Sequence, residues 1–232
     1  MIYFNGTALE SVAPVKIEDI RVSPIQLTVL ARQRAIASGS DFVRARCGSR
    51  TVTITFALPT NDTTIRQRQL MSITKWARSE APEKLILPYH DNMYLECFCT
   101  YLPEPSTRQW WESRLSLTFT TYENPYWTSV QEKSAACGTA FWVGGDAPPL
   151  MRITRTLSSA ASNQSYSDGT NTMTFSTIPV GEMKIDLNRQ TAHVRNASIM
   201  RYYTYTSTFI IPKTGTQTIT GTGTVFWRER WE

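Results

Sequence analysis

Hydrophobic and polar residues alternate with a period of two along much of the chain. In 51–58, the sequence TVTITFAL places an apolar side chain at every second position and threonine between most of them. Successive side chains of a strand point to opposite faces of a sheet, so this pattern predicts a strand with one buried face. The alternation recurs at 114–119 and, in shorter form, at 173–178, 183–187 and 192–195. Gly, Pro, Asn and Asp between these segments are typical of turns that join antiparallel strands.

One segment departs from this period and predicts a helix. Residues 61–79 read NDTTIRQRQLMSITKWARS, with Pro82 soon after. Asp62 is the expected N-cap, because its carboxylate can accept hydrogen bonds from the free N–H groups of the first turn. Five apolar residues fall broadly on one face of this helix: Ile65, Leu70, Ile73, Trp76 and Ala77.

The segment 27–50 predicts a long hairpin with charged arms. Its sequence, LTVLARQRAIASGSDFVRARCGSR, contains a Ser-Gly-Ser-Asp turn at 38–41. Arginine occurs on both arms, at Arg32, Arg34, Arg44, Arg46 and Arg50. A two-stranded ribbon alone is only marginally stable in water, so we expect it to lie against its parent domain or a neighbouring subunit.

A change of domain is expected between residues 127 and 149. The strand predicted from residue 114 onward ends at Pro125, Tyr126 and Trp127. A cluster of glycine and proline at 144–149 follows, which is a composition typical of linkers. The 232 residues suffice for two domains, and we predict them at 1–130 and 131–232. Beyond the boundary, short strands separated by turns indicate a small β-sandwich or barrel.

Composition and charge exclude several classes of protein. With 41% hydrophobic and 19% charged residues, the chain is globular rather than disordered. The net charge of +5 is not concentrated in a basic run, so no nucleic-acid specificity is expected. The start MIYFNG does not resemble a signal peptide, and no apolar stretch of about 18 residues predicts membrane insertion. We therefore expect assembly in a cytoplasm.

The sequence contains no recognisable catalytic or metal-binding pattern. Cys97 and Cys99 do not form a C-x-x-C pair, and the four cysteines are expected to be buried, reduced thiols. His90 and Asp91 are interpreted as residues of a hairpin turn rather than as a base and its orienting acid. No nucleophile elbow, phosphate loop or calcium loop is present. We therefore predict no enzyme activity, no metal and no cofactor.

Adjacent aromatic residues leave two interpretations open. Trp110 and Trp111 are neighbours in a predicted strand, so at least one ring could be exposed and stack on a sugar or a base. Alternatively, one ring fills the core and the other an interface between domains or subunits, which we favour because tryptophan often anchors interfaces. The aromatic residues in 202–205 allow the same two interpretations.

The order and spacing of several segments resemble the distal tail protein (Dit) family of long-tailed bacteriophages of the siphovirus type. No single motif is diagnostic, but the match spans nearly the whole chain. It rests on IYFNG at 2–6, GSR before 51–58, the helix ending near Trp76, the segments 85–94, 111–119 and 125–127, the MKID and TAHV segments within 183–194, and FWRERW at 226–231.

This resemblance implies a mainly β fold and a structural role in the virion. The fold would be an N-terminal β-sandwich-like domain with one α-helix and a long hairpin, followed by a C-terminal β-sandwich that is galectin-like or related to carbohydrate-binding modules. The N-terminal domain would form a homo-hexameric ring at the phage tail tip. That ring would join the tail tube protein to the tail-associated hub protein of the baseplate and support receptor-binding proteins for host attachment.

The expected interface and hinge can be placed on this sequence. The candidate subunit-interface residues are Arg32, Arg34, Arg44, Arg46 and Trp110. The candidate domain hinge consists of Pro125, Tyr126 and Trp127. The alternative function is a carbohydrate-binding adhesion module that recognises glycans of the host cell surface, although no sugar-site residue is assigned.

Overall fold

The computed structural model describes residues 1–33, 40–102, 114–204 and 206–232, with 27–33 and 40–46 described by their backbone. The chain divides into two compact units, Met1–Trp127 together with Glu232, and Thr128–Trp231. Strands dominate both units, so the predicted mainly β fold is confirmed. The assignment of separate roles to 1–130 and 131–232 stays a prediction.

Over its described residues, the first unit contains one antiparallel sheet, one hairpin and two helices. Its elements are β1 (Tyr3–Phe4), β2 (Thr7–Ala8), α1 (Leu9–Val12), β3 (Lys16–Val22), β4 (Leu27–Gln33), β5 (Ser40–Cys47), β6 (Thr51–Ala57), α2 (Thr63–Ala77), β7 (Glu83–Leu87), β8 (His90–Tyr101) and β9 (Arg114–Thr121), and β10 (Trp127–Ser129) spans the division. The strand order within this unit is β3-β6-β9-β8-β7-β1-β2, while β4 pairs with β5.

The alternating pattern of β6 forms a strand with one buried face, as predicted. Val52, Ile54 and Phe56 are fully buried, and Val52 lies opposite Phe119 of β9. The rings of Phe4, Trp76 and Phe119 meet at centroid distances of 5.0–6.2 Å, which places α2 against this core. Aromatic pairs at such distances stabilise a core beyond the area they bury.

Helix α2 begins at the predicted cap. Asp62 Oδ1 accepts hydrogen bonds from the backbone N–H groups of Thr64 and Ile65, at 2.8 and 3.1 Å. Leu70, Ile73 and Ala77 are buried as expected. The prediction that Ile65 shares this apolar face is wrong, since its side chain is 46% exposed. At 3.6 residues per turn, Ile65 lies about 140° around the helix from Leu70.

The second unit is built from strands and one short 3₁₀ helix. Its elements are β11 (Lys133–Ala136), β12 (Ala140–Val143), β13 (Ala147–Leu157), β14 (Ala161–Ser167), β15 (Thr172–Ile178), β16 (Gly181–Asp186), β17 (Thr191–Val194), β18 (Ala197–Ser198), the 3₁₀ helix Met200–Tyr202, β19 (Gly215–Thr218) and β20 (Thr224–Trp231). One sheet has the order β18-β17-β16-β13-β20-β11, and β12 pairs with β19 as β14 does with β15. Its core includes Ile153, Phe175, Ile185 and Val225, all fully buried.

The glycine pair before β13 is not a linker. Gly145 forms a parallel bridge with Arg230 of β20, and the N–H of Asp146 donates to the Arg230 carbonyl at 3.2 Å. The side chain of Glu229 accepts a hydrogen bond from Gly144 N at 2.8 Å. The glycines are therefore needed for close approach to the last strand, which composition alone could not distinguish from flexibility.

Two further details differ from the sequence predictions. The β7–β8 turn is shorter than expected, because His90 already pairs with Leu87 and belongs to β8. All four cysteines are free thiols, but only Cys97 is buried. Cys99 and Cys137 are partly exposed and Cys47 is exposed, so the expectation of burial is wrong for these three. Burial raises the pKa of Cys97 and raises that of Cys99 to about 11.

Candidate interaction surfaces

The β4–β5 hairpin extends the pairing of β3 with β6 into a two-stranded ribbon. The N–H of Ser23 donates to the Thr51 carbonyl at 2.8 Å, and the Gly48 N–H donates to the Gln26 carbonyl at 2.6 Å. Beyond these bonds, β4 and β5 pair only with each other over the described residues. At 3.3 Å per residue, β4 spans about 23 Å and β5 about 26 Å. The outer edges of this ribbon therefore lack a pairing strand within the described chain.

The root of the ribbon is held by a buried pair of residues. The Arg50 N–H donates to Thr121 Oγ1 at 2.8 Å, and the Thr121 N–H donates to the Arg50 carbonyl at 2.9 Å. Thr121 is fully buried, and Arg50 is 5% exposed. A buried N–H that loses its partner is costly, so this pair fixes the ribbon's root to β9.

The predicted interface arginines occupy defined register positions where the structure describes them. Arg32 lies opposite Asp41, Arg44 opposite Leu30, and Arg46 opposite Thr28. Arg34 and Trp110 lie outside the described residues. Arg44 and Arg46 are two residues apart on β5, which places them on one face of the ribbon. The role of these residues in an interface stays a prediction.

The face of β6 and β9 opposite the core carries short hydroxyl side chains. Thr53 Oγ1 lies 3.5 Å from Thr118 Oγ1, and Thr100 Oγ1 of β8 lies 2.9 Å from Thr120 Oγ1. Such cross-strand pairs stabilise a sheet without introducing charge. This surface is called the threonine face, and charged side chains border it, because Asp19 and Arg21 of β3 lie opposite Thr55 and Thr53.

The predicted hinge residues are packed rather than loose. Pro125 is buried, and the Tyr126 hydroxyl donates to Cys47 Sγ at 3.1 Å. The ring of Trp127, 6% exposed, lies 4.8 Å from the ring of His90. Whether 125–127 acts as a hinge stays a prediction. His90 serves as an aromatic packing partner at this position.

Tyr203 of the second unit fits the favoured of the two interpretations, in which an aromatic ring of 202–205 packs against the core. Tyr203 stacks on Phe209 at 4.9 Å and meets the edge of Phe175 at 5.7 Å, and burial raises the pKa of its hydroxyl. Tyr203 therefore packs against the core and is not an exposed platform. The exposed ring is Trp142, at 65%. Its place between the buried Phe141 and Val143 is the alternation that sequence reasoning missed.

The described part of the chain shows neither a metal-binding cluster nor a membrane-spanning helix. No group of three or more His, Cys, Asp or Glu side chains in 1–33, 40–102, 114–204 and 206–232 is arranged to hold a metal ion. No helix within those ranges is both long and apolar enough to cross a membrane.

The architecture corresponds over its whole length to a solved phage protein. No family model and no curated protein matches the sequence. The crystal structure of the Dit protein of phage SPP1 matches 100% of this chain and 98% of its own, with a TM-score of 0.73 and 13% sequence identity. This chain has a Dit-like fold. The likeness confirms the expected fold. At 13% sequence identity it is evidence for the fold alone.

Two structures of the activated baseplate of phage P2 are also similar. The one with Ca matches 94% of this chain and 91% of its own at 9% identity, with a TM-score of 0.48. The one with Sr has the same coverage and identity and a TM-score of 0.44.

Proposed function

We propose that this protein is a structural component of a phage tail tip. The observation that carries the proposal is the Dit-like fold, which extends over the complete chain. The SPP1 Dit protein is described as a paradigm of the hub adsorption apparatus in phages that infect Gram-positive bacteria. No catalytic step and no cofactor is part of the proposal.

The proposed assembly is a homo-hexameric ring that joins the tail tube protein to the tail-tip hub protein and supports host-adhesion proteins. A closed ring of identical subunits needs two different surfaces that complement each other. The ribbon of β4 and β5 supplies one candidate, because a two-stranded ribbon without further pairing gains stability from a partner. The threonine face supplies the second candidate, because its hydroxyl groups can both donate and accept hydrogen bonds across an interface.

Charge on the ribbon supports its role as the first surface. Arg44 and Arg46 share one ribbon face, and Arg32 lies opposite Asp41 on the same hairpin. Arginine is well suited to interfaces because its planar group binds carboxylates in two-point contacts. We therefore place acidic or carbonyl-rich groups of the neighbouring subunit against Arg44 and Arg46.

The oligomeric state tests this proposal. Light scattering combined with negative-stain microscopy should give rings of about 158 kDa, six times the 26.3 kDa subunit. Arg44→Glu with Arg46→Glu should reduce the rings to smaller species. The matched control is Arg68→Glu with Lys75→Glu, which makes the same charge change at exposed positions of α2 and should leave rings intact.

The results that contradict the proposal are specific. Rings that survive the ribbon variant unchanged would show that Arg44 and Arg46 are not interface residues. Monomers at every concentration, also in the presence of the phage's own tube protein, would contradict the ring itself.

A further inference from the structure

The outer face of helix α2 carries basic residues on both sides of an exposed methionine. Thr64, Arg68, Met71 and Lys75 are all exposed, and Met71 is 73% exposed. At 3.6 residues per turn, these four positions fall within an arc of about 60°. We call this stripe, together with Arg78 directly after the helix, the basic face of α2. The buried residues of the helix lie on its opposite side: Leu70, Ile73 and Ala77.

The positive charges of the basic face have no counterpart on the helix. No Asp or Glu occurs between Asp62 and Glu80 in the sequence. The Asp62 carboxylate already accepts hydrogen bonds from N–H groups of the first turn. The side chains of Arg68, Lys75 and Arg78 form no ion pair or hydrogen bond with any residue that the structure describes.

Two other exposed arginines of the first unit are paired. Arg114 Nε lies 2.9 Å from Glu18 Oε2, and Arg21 Nε lies 2.6 Å from Asp19 Oδ2. These carboxylates neutralise the positive charge locally, although surface pairs of this kind add little stability. The basic face of α2 lacks such neutralisation, so its positive potential extends into the solvent and attracts negatively charged partners.

The helix dipole explains only part of this pattern. Lys75 and Arg78 lie at the C-terminal end of α2, where positive charge is favourable beside the free carbonyl groups. They are also three residues apart and therefore neighbours on the helix surface, so their like charges repel. Neither effect accounts for Arg68, which lies far from that end, or for an exposed methionine between two cations. Both features are explained if a partner covers the face.

The methionine favours a protein over a nucleic acid as that partner. Arginine and methionine are enriched in protein–protein interfaces, and the flexible thioether side chain adapts to apolar surfaces. Most contacts to nucleic acid are made to phosphates and sugars, which offer little to a methionine at the centre of the face. Arg68, Met71 and Lys75 have the spacing i, i+3 and i+7, at which an amphipathic helix presents its anchors to a groove.

The chemistry of the partner follows from these three side chains. Carboxylates match the two cations, and an apolar side chain matches the methionine between them. We propose that the basic face of α2 docks an acidic segment of another virion protein, with carboxylates at Arg68 and Lys75 and an apolar side chain at Met71.

This docking surface rests on the proposed tail-tip role, and it is separate from the threonine face. Helix α2 packs on the core side of the sheet, where the Trp76 ring meets Phe4 and Phe119. The threonine face lies on the opposite side of β6 and β9. The basic face therefore stays accessible when the threonine face is covered by a neighbouring subunit.

Carbodiimide cross-linking of intact phage particles tests the proposal. The reagent joins a lysine amine to a carboxylate only where the two are in contact, and mass spectrometry identifies both residues. Lys75 should be linked to an Asp or Glu of a virion protein other than this chain. A synthetic peptide that spans the linked carboxylate should bind the purified full-length protein, and more weakly as the salt concentration rises.

Two variants separate the contributions of charge and of apolar contact. Arg68→Glu with Lys75→Glu should weaken peptide binding at least roughly tenfold while rings remain, because it turns attraction into repulsion. Met71→Ala should weaken binding roughly threefold to tenfold with an unchanged salt dependence. The matched control is Lys184→Glu with Lys213→Glu, which makes the same charge change at exposed positions of the second unit and should leave the affinity unchanged. Circular dichroism and the melting temperature establish that all variants remain folded.

The proposal is overturned if Lys75 is unlinked in particles that contain the protein, or is linked only to other copies of this chain. It is equally overturned if ultraviolet irradiation links α2 to the phage DNA in place of a protein carboxylate. Peptide binding that survives Arg68→Glu with Lys75→Glu unchanged has the same consequence. Particles without any copy of this chain would contradict the tail-tip role and the docking surface together, whereas the other results contradict the docking surface alone.

Discussion

Replacement of Gly145 by alanine tests whether the segment before β13 is a close-packed part of the second unit. Gly145 has a φ of +95°, and an added Cβ would lie 2.2 Å from the carbonyl oxygen of Arg230. The obstacle is the backbone of β20, so no side chain can rotate away. The alanine must therefore push β20 aside or distort the bridge between Gly145 and Arg230.

Two contributions set the expected loss of stability. Alanine at a positive φ costs about 1–2 kcal/mol, and forcing an extra carbon into a close-packed site costs about 1–3 kcal/mol more. Gly145→Ala should therefore destabilise the second unit by about 2–5 kcal/mol. Gly138 is the matched control, because its φ is +86° and no other atom lies within 4 Å of the added Cβ. Gly138→Ala should cost only about 1–2 kcal/mol.

Urea unfolding followed by tryptophan fluorescence measures this difference. The midpoint for Gly145→Ala should be clearly below that for Gly138→Ala at equal slope. A midpoint for Gly145→Ala that is equal to or above the midpoint for Gly138→Ala would refute the reasoning, because a flexible linker at 144–149 would tolerate an alanine at position 145.

Three further predictions concern the first unit. Asp62→Ala should destabilise it by about 1 kcal/mol through loss of the α2 cap, whereas Asp62→Asn should cost much less. A similar loss of stability for both variants in urea unfolding would argue against capping. Thr121→Val keeps the shape of the side chain but leaves the buried N–H of Arg50 unpaired, so the unfolding midpoint should fall by an amount equivalent to about 1–3 kcal/mol. An unchanged midpoint would count against the buried pair. Cys47 should react with a maleimide in the native protein while Cys97 does not. The reaction of Cys99 should still increase with pH up to about 11, because burial disfavours its thiolate, whereas a plateau near pH 8.5, as for an unfolded thiol, would contradict this.

Local elements of the fold could be predicted because the sequence encodes them in short patterns. The strand at 51–58 and the Asp62 cap depend on neighbouring residues alone. The order of the sheet depends on pairings between distant segments, such as β6 with β9, and no short pattern specifies them. The same limit explains the misreading of Gly144 and Gly145, whose need for glycine comes from β20 at the other end of the unit.

The candidate surfaces were predictable to different degrees. The ribbon was expected, and β4 and β5 do pair with each other. The turn predicted at 38–41 is wrong at its end, because Ser40 and Asp41 already pair with Gln33 and Arg32. The exposed ring of Trp142 was missed, although the buried Phe141 and Val143 on either side of it make an alternation that the sequence displays.

The location of the protein in the virion tests the central claim most directly. Gold-labelled antibodies raised against the purified chain can be applied to intact particles of the phage that carries this sequence and viewed by electron microscopy. The account predicts labelling confined to the distal end of the tail. Label on the capsid, or along the length of the tail, would contradict the proposed role at the tail tip.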